Sequence, residues 1–175
     1  MEAKLFRTDE GLVPEGEGWY VLNAHEARWF HSDEFGFACT FEGNIRFPEF
    51  GINIGVMQPG QPGCLCHSEA AQEDFLVLAG ECLLLVDGEE RPLRQWDFFH
   101  CPAGTEHVLV GAGTGPSVVL AAGARGEGKS IVYPVSELAQ RYGASAEQET
   151  PDPKEAYARF DRPSLRPAPE LPQEG

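Results

Sequence analysis

The central part of the chain is written in short apolar runs. From Gly51 to Arg125, segments such as Phe75–Leu78, Cys82–Val86 and Val118–Ala122 alternate with turn residues at intervals of roughly 8–12 positions. That rhythm predicts an all-β domain. The turns carry their own chemistry: Gln58-Pro-Gly-Gln-Pro-Gly63 makes a rigid loop, and Ala79-Gly80-Glu81 joins two apolar runs. Pro102-Ala-Gly104 and Gly111–Pro116 make two further connections. Asp87-Gly88 is a strong hairpin signal, because both central residues of such a turn need positive φ. Strands that meander in this way hide their edges best by rolling into a small antiparallel β-barrel or sandwich.

The pattern weakens on both sides of this stretch. Before it, Trp19–Leu22, Ala27–His31 and Phe35–Cys39 read as outer or edge strands broken by glycine. Beyond Gly128, Val135–Tyr142 has helical spacing, with Ser136 as N-cap and Gly143 as stop. Lys154–Phe160 reads as a second short helix, and the Pro-rich tail from Arg162 as an extended or disordered arm. The chain divides into N-terminal strands and turns (1–50), a core barrel (51–125) and a C-terminal helical segment with its tail (126–175). At 175 residues this is one domain, long enough to bury a core without staples.

Charge and cysteines narrow the classes. A formal net charge of −15 and the lack of Lys/Arg stripes argue against nucleic acid as a partner. No apolar run approaches the length that spans a bilayer, and Met1-Glu-Ala-Lys4 does not begin a signal peptide. Five cysteines, an odd number, do not suggest a disulfide framework. Together these features predict a soluble, cytoplasmic protein with reduced thiols.

Polar residues inside the apolar stretch supply the candidate chemistry. His67, Glu69 and Glu73 follow the rigid loop, and His107 follows Pro102-Ala-Gly104. On a strand, residues i and i+2 share a face, so His67 and Glu69 project together. Glu73 opens the next strand, and His107 meets them if its strand is a neighbour. Imidazole nitrogens and carboxylate oxygens suit Zn, Fe, Mn or Ni, and two His with one carboxylate form a facial triad. Cys64 and Cys66 alternate away from His67 on a strand, and Cys82 and Cys101 read as small buried hydrophobes. His25 and His31 lack ligand-like company, His100, seven residues before His107, reads as a satisfied strand residue, and Phe75, Trp96, Phe98 and Phe99 read first as packing.

Two segments resemble the motifs of the cupin superfamily. Gly60-x6-His67-x-Glu69-x3-Glu73-x6-Gly80 is similar to the first cupin motif, and Pro102-x-Gly104-x2-His107 to the second. The resemblance covers roughly Gly51 to Ala124 and implies a cupin-like double-stranded β-helix, a metal in its mouth and a homodimer. It implies His67, Glu73 and His107 as ligands. Glu69 stands where the family usually has its second His, Trp96 where the second motif begins with Gly, and Gly111 where it ends with Asn.

The reading that follows is a metal-binding protein with one divalent ion (Zn, Fe, Mn or Ni) held by His67, Glu69, Glu73 and His107. As an enzyme on a small molecule it would run dioxygenase, isomerase or decarboxylase chemistry, with Glu69 moving a proton if it is not a ligand. The alternatives are a non-catalytic metal- and ligand-binding or sensing module, and a metal-free barrel mouth whose carboxylates are held by hydrogen bonds. Burying two carboxylates without a cation is costly, which weighs against the last.

Overall fold

The computed structural model describes residues 1–125 and 130–171. Residues 126–129, where the sequence reading begins its C-terminal segment, and 172–175, at the end of the Pro-rich tail, lie outside the described residues. In chain order the strands are β1 (Lys4–Thr8), β2 (Gly11–Glu15), β3 (Trp29–Ser32), β4 (Gly36–Cys39), β5 (Phe50–Met57), β6 (Ser68–Glu69) and β7 (Glu73–Ala79). They continue with β8 (Glu81–Val86), β9 (Glu89–Arg94), β10 (Phe98–Cys101), β11 (His107–Ala112), β12 (Ser117–Ala124), β13 (Ile131–Val132) and β14 (Ser164–Arg166). Two one-turn helices, α1 (Glu137–Gln140) and α2 (Pro153–Ala156), lie between β13 and β14.

Most strands form two layers, with β1-β2 and β13-β6 as separate two-stranded pairs. A seven-stranded sheet runs β10-β7-β12-β5-β4-β3-β14, and a three-stranded sheet runs β11-β8-β9. The inner edge of the smaller sheet is extended by antiparallel bridges from Pro62 to Val110 and from His67 to His107. The all-β class is as the sequence predicts. The roll consists of two facing sheets joined at corners.

Alternation along each strand decides what faces the interior. Met57, Val77, Cys82, Leu84, Leu109 and Val119 pack together between the sheets. Their neighbours point outward: Val56 and Val118 pack with Trp29 behind the large sheet, and Leu85, Val108 and Val110 pack with Ala139 and Ala144 behind the small one. So α1 and its flanks cover the outer face of the small sheet. The apolar runs are continuous where both faces are buried, which is why strict alternation is weak in the sequence.

Turn chemistry follows the expected residues. Asp87 and Gly88 both have positive φ (47° and 79°), and the β8–β9 hairpin forms around them. At Gly80 the chain turns a corner from the large sheet to the small one. Its φ is +73°, and a Cβ there would meet the Pro116 carbonyl oxygen at 2.5 Å.

The helices are shorter than the spacing suggests. Ser136 caps α1 by accepting from Ala139 N at 3.2 Å, and Gly143 (φ +71°) follows as the stop. Asp152 caps α2 by accepting from Lys154 N at 2.8 Å. Two further features differ from expectation. Trp19–Leu22 carries only a single bridge, Trp19 to Glu2, whereas Lys4–Glu15 forms a hairpin. The Pro-rich tail is ordered where described: β14 pairs with β3, and Ala168 and Leu171 pack against the Trp29 cluster. No described helix is long and apolar enough to cross a membrane.

Candidate metal centre

His67 and His107 are locked opposite each other by the backbone. His67 N donates to His107 O at 3.1 Å, and His107 N donates to His67 O at 2.9 Å. Such a reciprocal antiparallel pair puts both side chains on one face. Here that face is the interior, and the ring centroids are 4.7 Å apart. Glu73 reaches the same point from the other sheet, where it opens β7 between Cys101 of β10 and Gly123 of β12. Its Oε2 lies 3.6 Å from His67 Nε2 and 3.4 Å from His107 Nε2.

The other nitrogen of each ring is occupied. His67 Nδ1 donates to the Leu65 carbonyl at 2.8 Å, and His107 Nδ1 to the Thr105 carbonyl at 3.2 Å. A carbonyl can only accept, so each neutral ring carries its proton on Nδ1 and aims the Nε2 lone pair at Glu73. This is how imidazoles are oriented for metal binding. His107 Nε2 is buried and makes no hydrogen bond among the described residues. Two nitrogen lone pairs and a carboxylate oxygen, all within 4.8 Å of one another, attract a cation. The donor set fits Zn, Fe(II), Mn or Ni.

Charge at the centre is tightly coupled. Burial disfavours a charge on His67, but the Cys64 sulfur beside Nδ1 and the Glu73 carboxylate outweigh it and raise its pKa. Burial and the neighbouring His67 charge push His107 the other way. A proton on His67 thus balances the carboxylate when no cation does, and metal binding would release it.

Sequence reasoning placed Glu69 beside His67. The structure brings together His67, Glu73 and His107, and Glu69 stands outside that group. β6 is only two residues long and pairs with β13, with Glu69 opposite Ile131. The Glu69 carbonyl accepts from Gly104 N at 2.7 Å, tying this segment to the loop before His107. Cys64 differs from expectation. Residues 63–66 are not a strand, so alternation does not apply, and Cys64 Sγ lies 3.8 Å from His67 Nδ1. Cys101 Sγ lies 3.3 Å from His107 Nδ1, and burial followed by the Glu73 charge pushes its thiol up to about 11.

Tyr133 went unread in the sequence. Its ring lies 5.9 Å from His67, and burial, then the charges of Cys64, Glu69 and Glu73, push its phenol up to about 12. Behind it Tyr157 accepts from Leu65 N at 2.9 Å and holds the turn that presents His67. His100 sits on the outer face, paired with Asp74 at 2.7 Å, and takes no part.

A cavity of about 300 Å³ opens beside the three residues. Phe37, Met57, Phe75, Leu109 and Val119 make its apolar walls, and Thr40 and Asn53 add polar groups. Such a pocket, apolar with a few convergent polar atoms, is suited to a small organic ligand.

A family model described as Cupin domain matches residues 53–123, which hold His67, Glu73 and His107. This stretch is similar to a cupin domain. Among solved structures, the chain is similar to a sugar phosphate isomerase from a cupin superfamily of Silicibacter pomeroyi at 25% identity, covering 62% of this chain and 66% of that one (TM-score 0.48). A candidate sugar phosphate isomerase from Acidithiobacillus ferrooxidans is similar at 26% identity, covering 49% and 56% (TM-score 0.47). A Klebsiella pneumoniae protein with a double-stranded β-helix domain is similar at 20% identity, covering 50% and 78% (TM-score 0.45). The chain thus spans less than two thirds of the first two proteins. No curated protein sequence matches it.

Proposed function

We propose that this cupin-like domain carries a mononuclear divalent metal on His67, Glu73 and His107 and acts as an enzyme on a small oxygen-bearing molecule. One observation carries the reading: both imidazoles are pinned through Nδ1 to backbone carbonyls, so that their Nε2 atoms converge with a buried carboxylate oxygen. A metal bound there would polarise a carbonyl, carboxylate or hydroxyl oxygen of the ligand.

The surrounding residues supply the rest. Phe37, Phe75 and Val119 exclude water from one side of the cavity, while Thr40 and Asn53 orient polar groups of the ligand. Glu69, two residues from His67, and Tyr133, whose ring lies 5.9 Å from it, are our candidates to move a proton, although neither lines the cavity itself. The Glu69 charge is felt at the Tyr133 phenol, so a proton passed to one alters the acidity of the other. Isomerase, decarboxylase and dioxygenase chemistry all fit this set, and the fold does not choose among them. Homodimerisation belongs to the same proposal and is checked by light scattering.

Elemental analysis of purified wild type beside His67→Ala, Glu73→Ala, His107→Ala and Glu69→Ala tests it. About one equivalent of Zn, Fe, Mn or Ni, lost in the first three variants and kept in the fourth, is expected. Loss in Glu69→Ala would make Glu69 a ligand. A wild type that takes up no metal from any of the four ions would remove the proposal. Metal retained without turnover of any small hydroxy acid, sugar phosphate or phenol offered would move the protein to the binding-module reading.

A further inference from the structure

A second cavity, of about 330 Å³, lies between the β3–β4 hairpin and the segment that follows α2. Its walls are mainly apolar, formed by Phe30, Phe35, Ala38, Tyr157, Phe160 and Pro163. His31, Ser32 and the oppositely charged neighbours Asp161 and Arg162 also line it. It is not remote from the metal centre. Phe35, Ala38, Gly63 and Cys64 line this cavity and the one beside His67, Glu73 and His107 alike. The partition is therefore one aromatic ring, one methyl group, a glycine and a thiol. The Phe35 ring stands edge-on to Tyr157 (centroids 5.4 Å apart) and Phe160 (4.9 Å), and it is the bulky member of that wall.

We infer that the second cavity receives the apolar end, aryl or alkyl, of the same small molecule whose oxygen-bearing head sits at His67, Glu73 and His107. This rests on the metal-centre reading above. Three features carry it. Soluble surfaces seldom gather so many apolar side chains in one open hollow, so a ring-lined cleft of this size marks a binding surface. A cavity of about 300 Å³ is at the small end of ligand sites, and a ligand that displaces the Phe35 ring to reach the second, of about 330 Å³, would fill a volume well inside their range. Finally, the walls offer ring faces and edges, which favour a flat or branched apolar group over a sugar or a second charge. The tail after Arg162 gains a purpose too, because the β14–β3 pairing holds Pro163 in place as a wall.

The test uses the full chain loaded with whichever of Zn, Mn, Fe or Ni it retains, and hydroxamates as probes. Acetohydroxamate presents the head alone, and 3-phenylpropionohydroxamate adds an apolar end. Affinity should rise by about tenfold or more from the first to the second. Phe160→Ala removes one wall and Phe30→Trp fills the space, and both residues line only the second cavity. Either substitution should erase most of that gain and leave acetohydroxamate binding as it was.

Cys64 provides an independent readout, since it is part-exposed while Cys39, Cys66, Cys82 and Cys101 are buried. The phenyl probe should slow its reaction with a thiol reagent, and acetohydroxamate should slow it less. Equal affinities for the two probes in wild type, or equal losses for both in the variants, would overturn the inference. Failure to bind acetohydroxamate would instead count against the metal centre. In that case 3-phenylpropanol, which has no chelating head, decides the cavity alone: protection of Cys64 in wild type but not in Phe30→Trp supports it, and no protection overturns it.

Discussion

Trp96 shows what one residue's backbone can cost. It is the third residue of the Arg94–Asp97 turn, closed by Asp97 N donating to Arg94 O at 2.9 Å, and its φ is +73°. Turns with positive φ at this position favour glycine, and glycine is the residue the cupin motif has there. Its side chain is 68% exposed, so it recovers little by packing. Relief of the left-handed strain outweighs the extra chain entropy of glycine, so Trp96→Gly should stabilise the protein by about 0.5–1 kcal/mol in urea unfolding. Trp96→Ala, which keeps the strain, should not. A Trp96→Gly variant weaker than wild type would mean that the indole makes an interaction worth more than the strain.

At the scale of elements, corners matter more than strands. Gly80→Ala should cost about 2–4 kcal/mol, because the new methyl meets the Pro116 carbonyl and the φ is unfavourable as well. Gly88→Ala, with similar φ but nothing within 4 Å, should cost only about 1 kcal/mol. Both glycines and the Asp87-Gly88 turn could be read from the sequence, because turn chemistry is local. So could His67, Glu73 and His107, whose spacing is fixed by the motifs. Elements held by backbone pairing alone could not. β14 is exposed along its length and β1 nearly so, and neither shows the alternation that marks a half-buried strand. The contacts of Cys64 and Tyr133 were hidden for another reason: they depend on an irregular turn and on a segment some sixty residues distant, about which periodicity says nothing.

Another element-level device clamps the loop from Glu42 to Phe50 onto the end of β12. Arg125 Nη1 donates to Glu42 Oε1 at 2.5 Å and to the Phe47 carbonyl at 2.8 Å, and the Glu42 side chain is only 8% exposed. Arg125 holds the Glu42 pKa below its ordinary 4.5, with burial opposing. The sign follows directly. A depressed folded-state pKa adds stability that is complete above the unfolded value and is lost as pH falls through the folded one. Glu42→Gln should therefore cost about 1–3 kcal/mol at pH 7, and that gap should close as the pH drops below 4.5. A gap that stayed constant with pH would show that the side chain stabilises by shape and not by charge.

For the molecule as a whole, the proposed metal centre would be a cross-link between its layers. Glu73 belongs to the large sheet, His107 to the small one, and His67 to the irregular segment bridged to the small sheet's edge. No two of these can separate while an ion holds all three, so binding should stabilise the whole fold and not one loop. The gain is set by mass action, about 2.7 kcal/mol at a hundredfold excess over Kd. For a domain of this size that corresponds to a rise in Tm of about 5–10 °C. The comparison is thermal unfolding with added Zn or Mn against the same protein in excess chelator. His67→Ala should lose the shift while keeping the chelated protein's Tm within a few degrees, since the vacated ligand position leaves the sheets' own packing intact. Glu69→Ala should keep the shift, because Glu69 stands outside the convergent group. A wild type whose Tm ignored every divalent ion would leave three acceptor atoms facing one another with only a shared proton between them, and the centre would then be a polar mouth without a metal.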